Sequence, residues 1–255
     1  AGLTIGVKNK PTELIFKFFT NEKDEFNYYK KLIEVKLVDK FVFYRIKKND
    51  KRIDFLKKNK INFVTWGRSS TKDNYAWIDL DNEKSIEILM QRLYDFGHRK
   101  IGFLNVHQSF NYGFQRKEAY EKFHKNKNIK FNAKYYQESL DHTTLTGIQL
   151  SKKLLDLKDP PTAIICSLDK YFIGCLQECQ KRGLVIAKDI SVVGYNDHDN
   201  YLSSQNLTYI SHPLAEMGKM AVDILEKMDK GEKPKNLTQL IEPILHKGKS
   251  DGKIS

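Results

Sequence analysis

Short apolar runs alternate with longer segments of helical periodicity along most of the chain. Residues 85–96 place Ile86, Leu89 and Leu93 on one face, which is typical of an amphipathic helix. The stretch from Asp189 to Asp197 begins with a β-branched run of the kind found in strands buried on both faces. A steady alternation of such segments predicts an α/β protein with mostly parallel sheets.

The predicted elements cover most of the sequence. The predicted strands are 3–7, 13–19, 37–44, 61–65, 75–79, 100–104, 160–167, 190–194, 207–210 and 237–245, and the predicted helices are 22–33, 51–60, 85–96, 114–126, 144–155, 170–182 and 213–230. If the first two strands were parallel neighbours, they would need a crossover of about a dozen residues, which residues 8–12 cannot supply. Either they form a local hairpin, or a segment between Val7 and Glu13 is absent; we favour the second interpretation.

Charge and composition narrow the class of protein. The formal net charge is +12, but lysines are interleaved with acidic residues instead of gathering in one stripe, which weakens a nucleic-acid interpretation. The three cysteines are predicted to be small buried apolar groups. No apolar run approaches the roughly 20 residues of a membrane helix, and no secretory signal is visible, although a mature, cleaved form would look the same.

Polar and aromatic side chains follow several predicted strands, at the ends where open α/β sheets bind ligands. Besides Asn196 and Asp197, these residues are Tyr44, Arg45, Trp66, Arg68 and Asp169, and Arg116 joins them at the start of a helix. Guanidinium, amide and carboxylate groups bind hydroxyls, and flat aromatic rings stack on sugar faces. The mixture suits a carbohydrate, although each residue alone could equally be a turn or capping group.

Enzyme motifs are not found in the sequence. It contains no Gly-x-Ser-x-Gly elbow, no paired-cysteine metal spacing, no Walker-type phosphate loop and no Gly-x-Gly-x-x-Gly after a strand. We therefore expect no catalytic residues, no metal site and no cofactor.

A series of motifs resembles the LacI/GalR family of bacterial transcription regulators in order and spacing, from about Leu32 to the end. The motifs are Gly97-His-Arg-Lys-Ile-Gly-Phe103, Arg116 three residues before Ala119-Tyr120, Pro161-Thr-Ala-Ile-Ile165, Asp189-Ile-Ser-Val-Val-Gly-Tyr-Asn-Asp197, Leu207-Thr208 and Glu216-Met-Gly218. The first and fourth are the most specific. Residues 38–45 and 63–68 are similar to regulators of sugar catabolism.

The resemblance implies a periplasmic-binding-protein-like core, in which two doubly wound parallel-sheet subdomains are joined by three crossing strands and an effector binds in the cleft. The N-terminal subdomain would comprise residues 1–77 and 212–235, and the C-terminal subdomain residues 78–211 and 236–255. Such proteins are cytoplasmic repressors or other regulators that form homodimers and bind operator DNA through an N-terminal helix-turn-helix headpiece. Effector binding shifts the equilibrium between two states and so changes the DNA contact.

The match to the family also assigns candidate effector contacts. Arg116 and Asn196 come first, with Asp197 as a neighbouring contact or hinge-facing group. A second set comprises Trp66, Arg68, Tyr112, Phe114, Asp169, His142 and His212, to which the strand-end residues Tyr44 and Arg45 are added. His98 is expected to be structural, because a histidine at a helix end needs no ligand.

The chain departs from the family pattern in ways that leave alternatives open. The headpiece and the first crossover helix are missing, so these residues cannot themselves read a base sequence. Leu168-Asp169 and Asn196-Asp197 stand where the family usually has Asn-Asp and Asp-Asp, so the ligand could differ from a simple hexose, and an anionic or phosphorylated sugar stays open. The alternative function is a sugar-binding protein of a transport system.

Overall fold

Two parallel sheets form the scaffold, and each belongs to its own unit of the chain. The computed structural model describes residues 2–19, 21–70, 74–196 and 205–254. One unit comprises Ala1–Asp79 and Pro213–Ile241, and the other Leu80–His212 and Glu242–Ser255. The predicted α/β class with parallel sheets is confirmed. The predicted subdomain boundaries follow residues 77, 211 and 235, whereas the units divide after 79, 212 and 241.

The first unit contains a four-stranded sheet with the order β1-β2-β3-β9, in which β1, β2 and β3 run parallel. Its elements are α1 (Gly2–Gly6), α2 (Glu22–Glu34), β1 (Lys40–Tyr44), α3 (Lys51–Lys58), β2 (Asn62–Trp66), β3 (Ala76–Leu80), α8 (Leu214–Asp229) and β9 (Thr238–Ile241), with a 3-10 turn at Pro234–Asn236. Because alternate side chains of a strand face opposite sides of the sheet, both faces require a helical cover.

Helices α2 and α3 cover one face of this sheet, and α8 covers the other. On the first face, Ile53 and Leu56 of α3 are buried with Phe43 and Phe63 of the strands. The Tyr29 ring of α2 lies 4.9 Å from the Phe41 ring of β1. On the second face, apolar residues of α8 pack against the strands: Met217, Ala221, Ile224, Leu225 and Met228 against Val64, Ala76 and Ile78. The sheet is thus the centre of a three-layer unit.

Two predicted strands at the start of the chain are wrong. Residues 3–7 lie mostly in helix α1, because a short apolar run does not distinguish helix from strand and close contact with α8 decides between them. A Cβ added to Gly218 would lie 2.3 Å from the carbonyl carbon of Gly2, so only glycine allows the two helices to approach so closely. Residues 12–19 form neither helix nor strand. A strand there would need a hydrogen-bonded neighbour, and none of the described strands pairs with this segment.

The second unit contains a six-stranded sheet with the order β10-β8-β7-β6-β4-β5. Its elements are α4 (Asn82–Asp95), β4 (Ile101–Val106), α5 (Asn111–Asn126), β5 (Tyr136–Ser139), α6 (Thr144–Leu155), β6 (Ala163–Cys166), α7 (Asp169–Lys181), β7 (Ser191–Asn196), β8 (Tyr209–Ser211) and β10 (Ile244–His246), with a 3-10 turn at Ala133–Tyr135. All strand pairs from β5 to β8 are parallel, and β10 is antiparallel to β8.

The core of the second unit confirms two sequence predictions. Cys166, Cys175 and Cys179 are free thiols buried among apolar side chains. His98 is also buried and structural: its Nδ1 lies 2.9 Å from Thr162 Oγ1, and its Nε2 lies 2.9 Å from a serine hydroxyl at the start of β7. Within the described ranges, no helix is both long and apolar enough to cross a membrane.

Two further predictions about strands need correction. The predicted strand 237–245 is two strands, β9 and β10, which belong to different sheets. Pro243 lies between them, and proline has no backbone N–H to donate to a strand ladder. Strand β5 was not predicted, because Tyr136–Ser139 carries polar side chains at the edge of the sheet and lacks an apolar run.

Candidate functional site

The order of the strands reverses at β4 in the second sheet. The chain runs outward from β4 to β5 and then crosses back to β6, on the other side of β4. Ligands of open α/β sheets bind at such a switch point, outside the carboxyl ends of the strands. Ser167, directly after β6, joins the two strand ends: its N–H donates to Leu104 O (2.9 Å) and its Oγ accepts from Val106 N (3.1 Å). These two hydrogen bonds therefore fix the carboxyl ends of β4 and β6 relative to each other.

Helix α5 starts beside this point and carries Arg116 to it. A Cβ on Gly113 would lie 2.8 Å from Val106 O and from His107 O, so glycine allows the first turn of α5 to press against the end of β4. Arg116 is 3% exposed. Its Nε donates to Asn82 Oδ1 (2.8 Å), and its Nη1 donates to the carbonyl oxygen after β6, Ser167 O, also at 2.8 Å. The guanidinium thus links the first residue of α4 to the residue that follows β6.

Aromatic rings surround the guanidinium. Its Cζ lies 3.8 Å from the centre of the Tyr195 ring and 5.3 Å from that of Tyr112. The His212 ring stacks on Tyr195 at 5.8 Å and 24°. Further along, the Phe110 ring lies 5.8 Å from Tyr112 and 5.6 Å from the ring of His142. A cation over aromatic faces is favourable, and the effect grows when the pair is desolvated.

Asn82 fixes the orientation of the guanidinium. Its Nδ2 donates to Leu80 O (3.0 Å) and to Gln115 Oε1 (3.2 Å), which leaves Oδ1 to accept from Arg116. The contacts of the guanidinium within the described residues are with neutral groups: an amide, a carbonyl and two phenol rings. A buried positive charge in neutral surroundings favours a ligand that brings oxygen acceptors.

The structure brings together part of the predicted set in the second unit, namely Arg116, Tyr112, His142 and His212. Phe114 lies half-buried on α5. Asp169 is the first residue of α7, with Oδ1 accepting from Lys170 N (2.7 Å); the N-cap of this helix is Leu168. Asn196 closes β7, and its backbone pairs with Ser211 of β8. Asp197 lies outside the described residues.

The other predicted residues lie in the first unit, at the carboxyl ends of β1 and β2. Arg68 Nε lies 3.3 Å from Asp79 Oδ2, and its Cζ lies 5.5 Å from the Trp77 ring centre. Trp66 packs against the core of this unit. Tyr44 is half-exposed, and its carbonyl oxygen, like that of Arg45, accepts from a guanidinium of α3. These four residues form a second polar and aromatic group, separate in the chain from the group at Arg116.

Sequence reasoning missed four members of the Arg116 group. They are Asn82, Phe110, Ser167 and Tyr195. Three of them show a usable signal, since Asn82 and Ser167 follow a strand within two residues and Tyr195 directly precedes Asn196. Among the described residues, no group of three or more His, Cys, Asp or Glu side chains is placed to hold a metal ion.

Comparison with known families matches residues 90–250 to the periplasmic binding protein-like domain. Among curated relatives, the ribose operon repressor of Haemophilus influenzae is 34% identical over 154 residues, which are 59% of this chain and 46% of that repressor. The chain spans about half the length of the curated relatives it matches.

Solved structures show the same similarity over nearly the whole chain. A regulatory protein of the LacI family from Chloroflexus aggregans has a TM-score of 0.85 and 28% identity, with 98% of this chain and 91% of that chain covered. The transcriptional regulator CelR in complex with cellobiose has a TM-score of 0.87 at 19% identity, with 98% and 76% covered, and shares the fold. The chain therefore belongs to the family of periplasmic binding protein-like domains, in the form of the effector-binding core of LacI/GalR regulators.

Proposed function

We propose that this core senses a carbohydrate that binds at Arg116 and controls a transcription regulator. The observation that carries the proposal is the guanidinium of Arg116, buried at the switch point among neutral and aromatic groups. Asn196 and Asp197 are proposed as further contacts, by their position at the end of β7. We also propose contacts from the second set, Trp66, Arg68, Tyr112, Phe114, Asp169, His142, His212, Tyr44 and Arg45.

The hydrogen-bond donors of Arg116 support a ligand with several oxygen atoms. A guanidinium has five N–H donors, and the described residues accept two of those of Arg116, at Nε and Nη1. Leaving a charge buried without compensation costs several kcal/mol, which a ligand hydroxyl or carboxylate would offset. Tyr112, which is only partly buried, offers a ring for the apolar face of a sugar. An anionic sugar would gain further from the positive charge.

The relatives favour a regulator over the transport alternative. The named relatives are a ribose operon repressor and LacI-type regulators, and one of the similar structures holds cellobiose. We infer that a longer form of this protein carries a DNA-binding headpiece, acts on operator DNA as a homodimer in the cytoplasm and performs no catalysis. Effector binding would then favour one of two states with different affinity for DNA.

A thermal-shift screen tests the proposal. Pentoses, hexoses, disaccharides including cellobiose, and sugar phosphates are each added to the chain and to two variants, Arg116→Ala and Arg99→Ala. Arg99 is the matched control, because it is an exposed arginine of the same unit whose Nη1 bonds to backbone carbonyls. A ligand at 100 times its Kd stabilises the native state by about 2.7 kcal/mol.

We expect one class of sugar to raise the Tm of the wild-type chain and of Arg99→Ala, and to leave Arg116→Ala unshifted. An equal shift in all three proteins would place the ligand away from Arg116. A flat response to every sugar, phosphate and disaccharide by a folded chain would refute the carbohydrate proposal.

A further inference from the structure

The bend after β1, at residues 44–46, contains a backbone conformation that side chains rarely adopt. Arg45, directly after the strand, has a φ of +59°, in the left-handed region. A residue with a Cβ is disfavoured there and persists only where its surroundings fix it. The next residue, Ile46, is 1% exposed and packs in the core of the first unit. It therefore holds the bend from one side.

Arg52 of α3 holds the bend from the other side. Its Nη2 donates to the carbonyl oxygens of Tyr44 and Arg45, both at 3.2 Å. Its Cζ lies 4.6 Å from the centre of the Phe43 ring, the buried side chain near the end of β1. One guanidinium thus contacts three consecutive residues at the point where the chain leaves the sheet.

Two carboxylates fix this guanidinium in turn. Asp50, the N-cap of α3, accepts from Nε at 2.9 Å and from Nη2 at 2.7 Å, and Glu25 of α2 accepts from Nη1 at 2.9 Å. Asp50 also accepts from the backbone N–H groups of Lys47 and Arg52, so it ties the bend to the start of α3. The Arg52 side chain is 12% exposed, and at such a site charge pairs are screened less than on an open surface.

The arrangement requires an arginine at position 52. A guanidinium has five donors in a planar fork, and here they serve two carboxylates and two carbonyl oxygens. A lysine would keep a positive charge between Asp50 and Glu25, but its single ammonium has three donors and lacks the fork. We therefore expect Arg52→Lys to keep the charge balance of the network and to release the carbonyl oxygens of the bend.

We propose that Arg52 is a positioning residue of the proposed sugar site, because it holds Arg45 in the left-handed conformation and so sets the direction of the Arg45 side chain. The inference rests on the proposed function, in which Arg45 is a sugar contact. Arg52 acts through the backbone, since its donors go to Asp50, Glu25 and the two carbonyl oxygens. Once released, Arg45 relaxes towards negative φ, which turns its Cα–Cβ bond away from its present direction.

Hydrogen exchange followed by mass spectrometry tests the hold on the bend without any sugar. The variants are Arg52→Lys and Lys40→Ala. Lys40 is the matched control, because it forms its ion pair with Asp229 at the opposite end of the same strand. We expect peptides covering residues 43–48 to exchange at least about tenfold faster in Arg52→Lys and at the wild-type rate in Lys40→Ala. Unchanged exchange of these peptides in Arg52→Lys would overturn the proposal.

The sugar panel of the thermal-shift screen tests the effect on binding. It is added to the wild-type chain, Lys40→Ala, Arg52→Lys, Arg45→Ala and the double variant of the last two. A tenfold weaker Kd lowers the stabilisation at 100 times the wild-type Kd from about 2.7 to about 1.4 kcal/mol, so the sugar-induced rise in Tm should fall by about half in Arg52→Lys. The double variant should respond like Arg45→Ala, because a contact that is already removed cannot be misplaced.

A purely structural role of Arg52 would lower the Tm without sugar but leave the sugar-induced rise intact. A full rise in Arg52→Lys would therefore overturn the positioning role, and so would an equal further loss when Arg52→Lys is added to Arg45→Ala. A wild-type chain that responds to no sugar would instead refute the proposed function, and the positioning role with it. The response of the wild-type chain thus distinguishes the two failures.

Discussion

Substitution of Gly113 by alanine should loosen the Arg116 site without unfolding the second unit. The added Cβ would lie 2.8 Å from Val106 O, from His107 O and from Val106 Cγ2, and two of these are backbone atoms that cannot rotate away. The first turn of α5 must therefore move back from the end of β4. Arg116 follows on the same helix, so its two 2.8 Å hydrogen bonds would lengthen or break.

The magnitude follows from two opposing effects of Gly113→Ala. Alanine favours the helix by about 1 kcal/mol relative to glycine in a helix interior. Overpacking of a tight contact costs about 1–3 kcal/mol. Asn105 Nδ2 also donates to Gly113 O at 2.8 Å, and a shift of the helix weakens this buried hydrogen bond by about 1 kcal/mol. We expect a net loss of about 1–3 kcal/mol in the free energy of unfolding.

Urea unfolding followed by circular dichroism measures the stability of Gly113→Ala, and titration with the sugar found in the thermal-shift screen measures the affinity. Ala119→Gly, on the same helix, gives the local Gly–Ala difference as a reference. We expect the sugar to bind Gly113→Ala at least about tenfold more weakly, because Arg116 would no longer be positioned. A variant that is more stable than the wild type and binds the sugar with unchanged affinity would refute the argument that Gly113 sets the distance between α5 and the end of β4.

Two further predictions concern buried polar groups of the second unit. Ser167→Ala removes the acceptor of a buried backbone N–H at the end of β4 and should cost about 1–3 kcal/mol in urea unfolding, whereas Ser167→Thr, which keeps the hydroxyl, should cost less. Burial holds the pKa of His98 below its ordinary value, so the unfolded chain takes up a proton first as the pH falls through about 6.5. The free energy of unfolding should therefore fall between pH 7.5 and 5.5, and it should fall less steeply in His98→Asn. The decrease that persists in this variant would come from His124, whose pKa is also lowered by burial. An equal slope in both proteins would contradict the prediction.

Periodicity predicted the parallel part of the fold well, because a buried parallel strand and its helix each leave a regular apolar pattern. Helix α6 matches its prediction at both ends, Thr144 and Leu155. The failures occur where the pattern is short or absent. Residues 2–6 form a helix because Gly218 permits close packing, and this contact joins positions more than two hundred residues apart. Strand β5 lies at an edge and needs no apolar run.

The candidate site was predictable to the extent that strand ends are visible in a sequence. Arg116 was identified with the family motif, but the groups that orient it were not: Asn82 and Ser167 act through hydrogen bonds to a guanidinium 34 and 51 residues away. Such pairings depend on which strands become neighbours, and no local pattern encodes the order in which β4 and β6 meet. The residue types at a switch point can therefore be predicted from the sequence, whereas their hydrogen-bond partners follow only from the topology of the sheet.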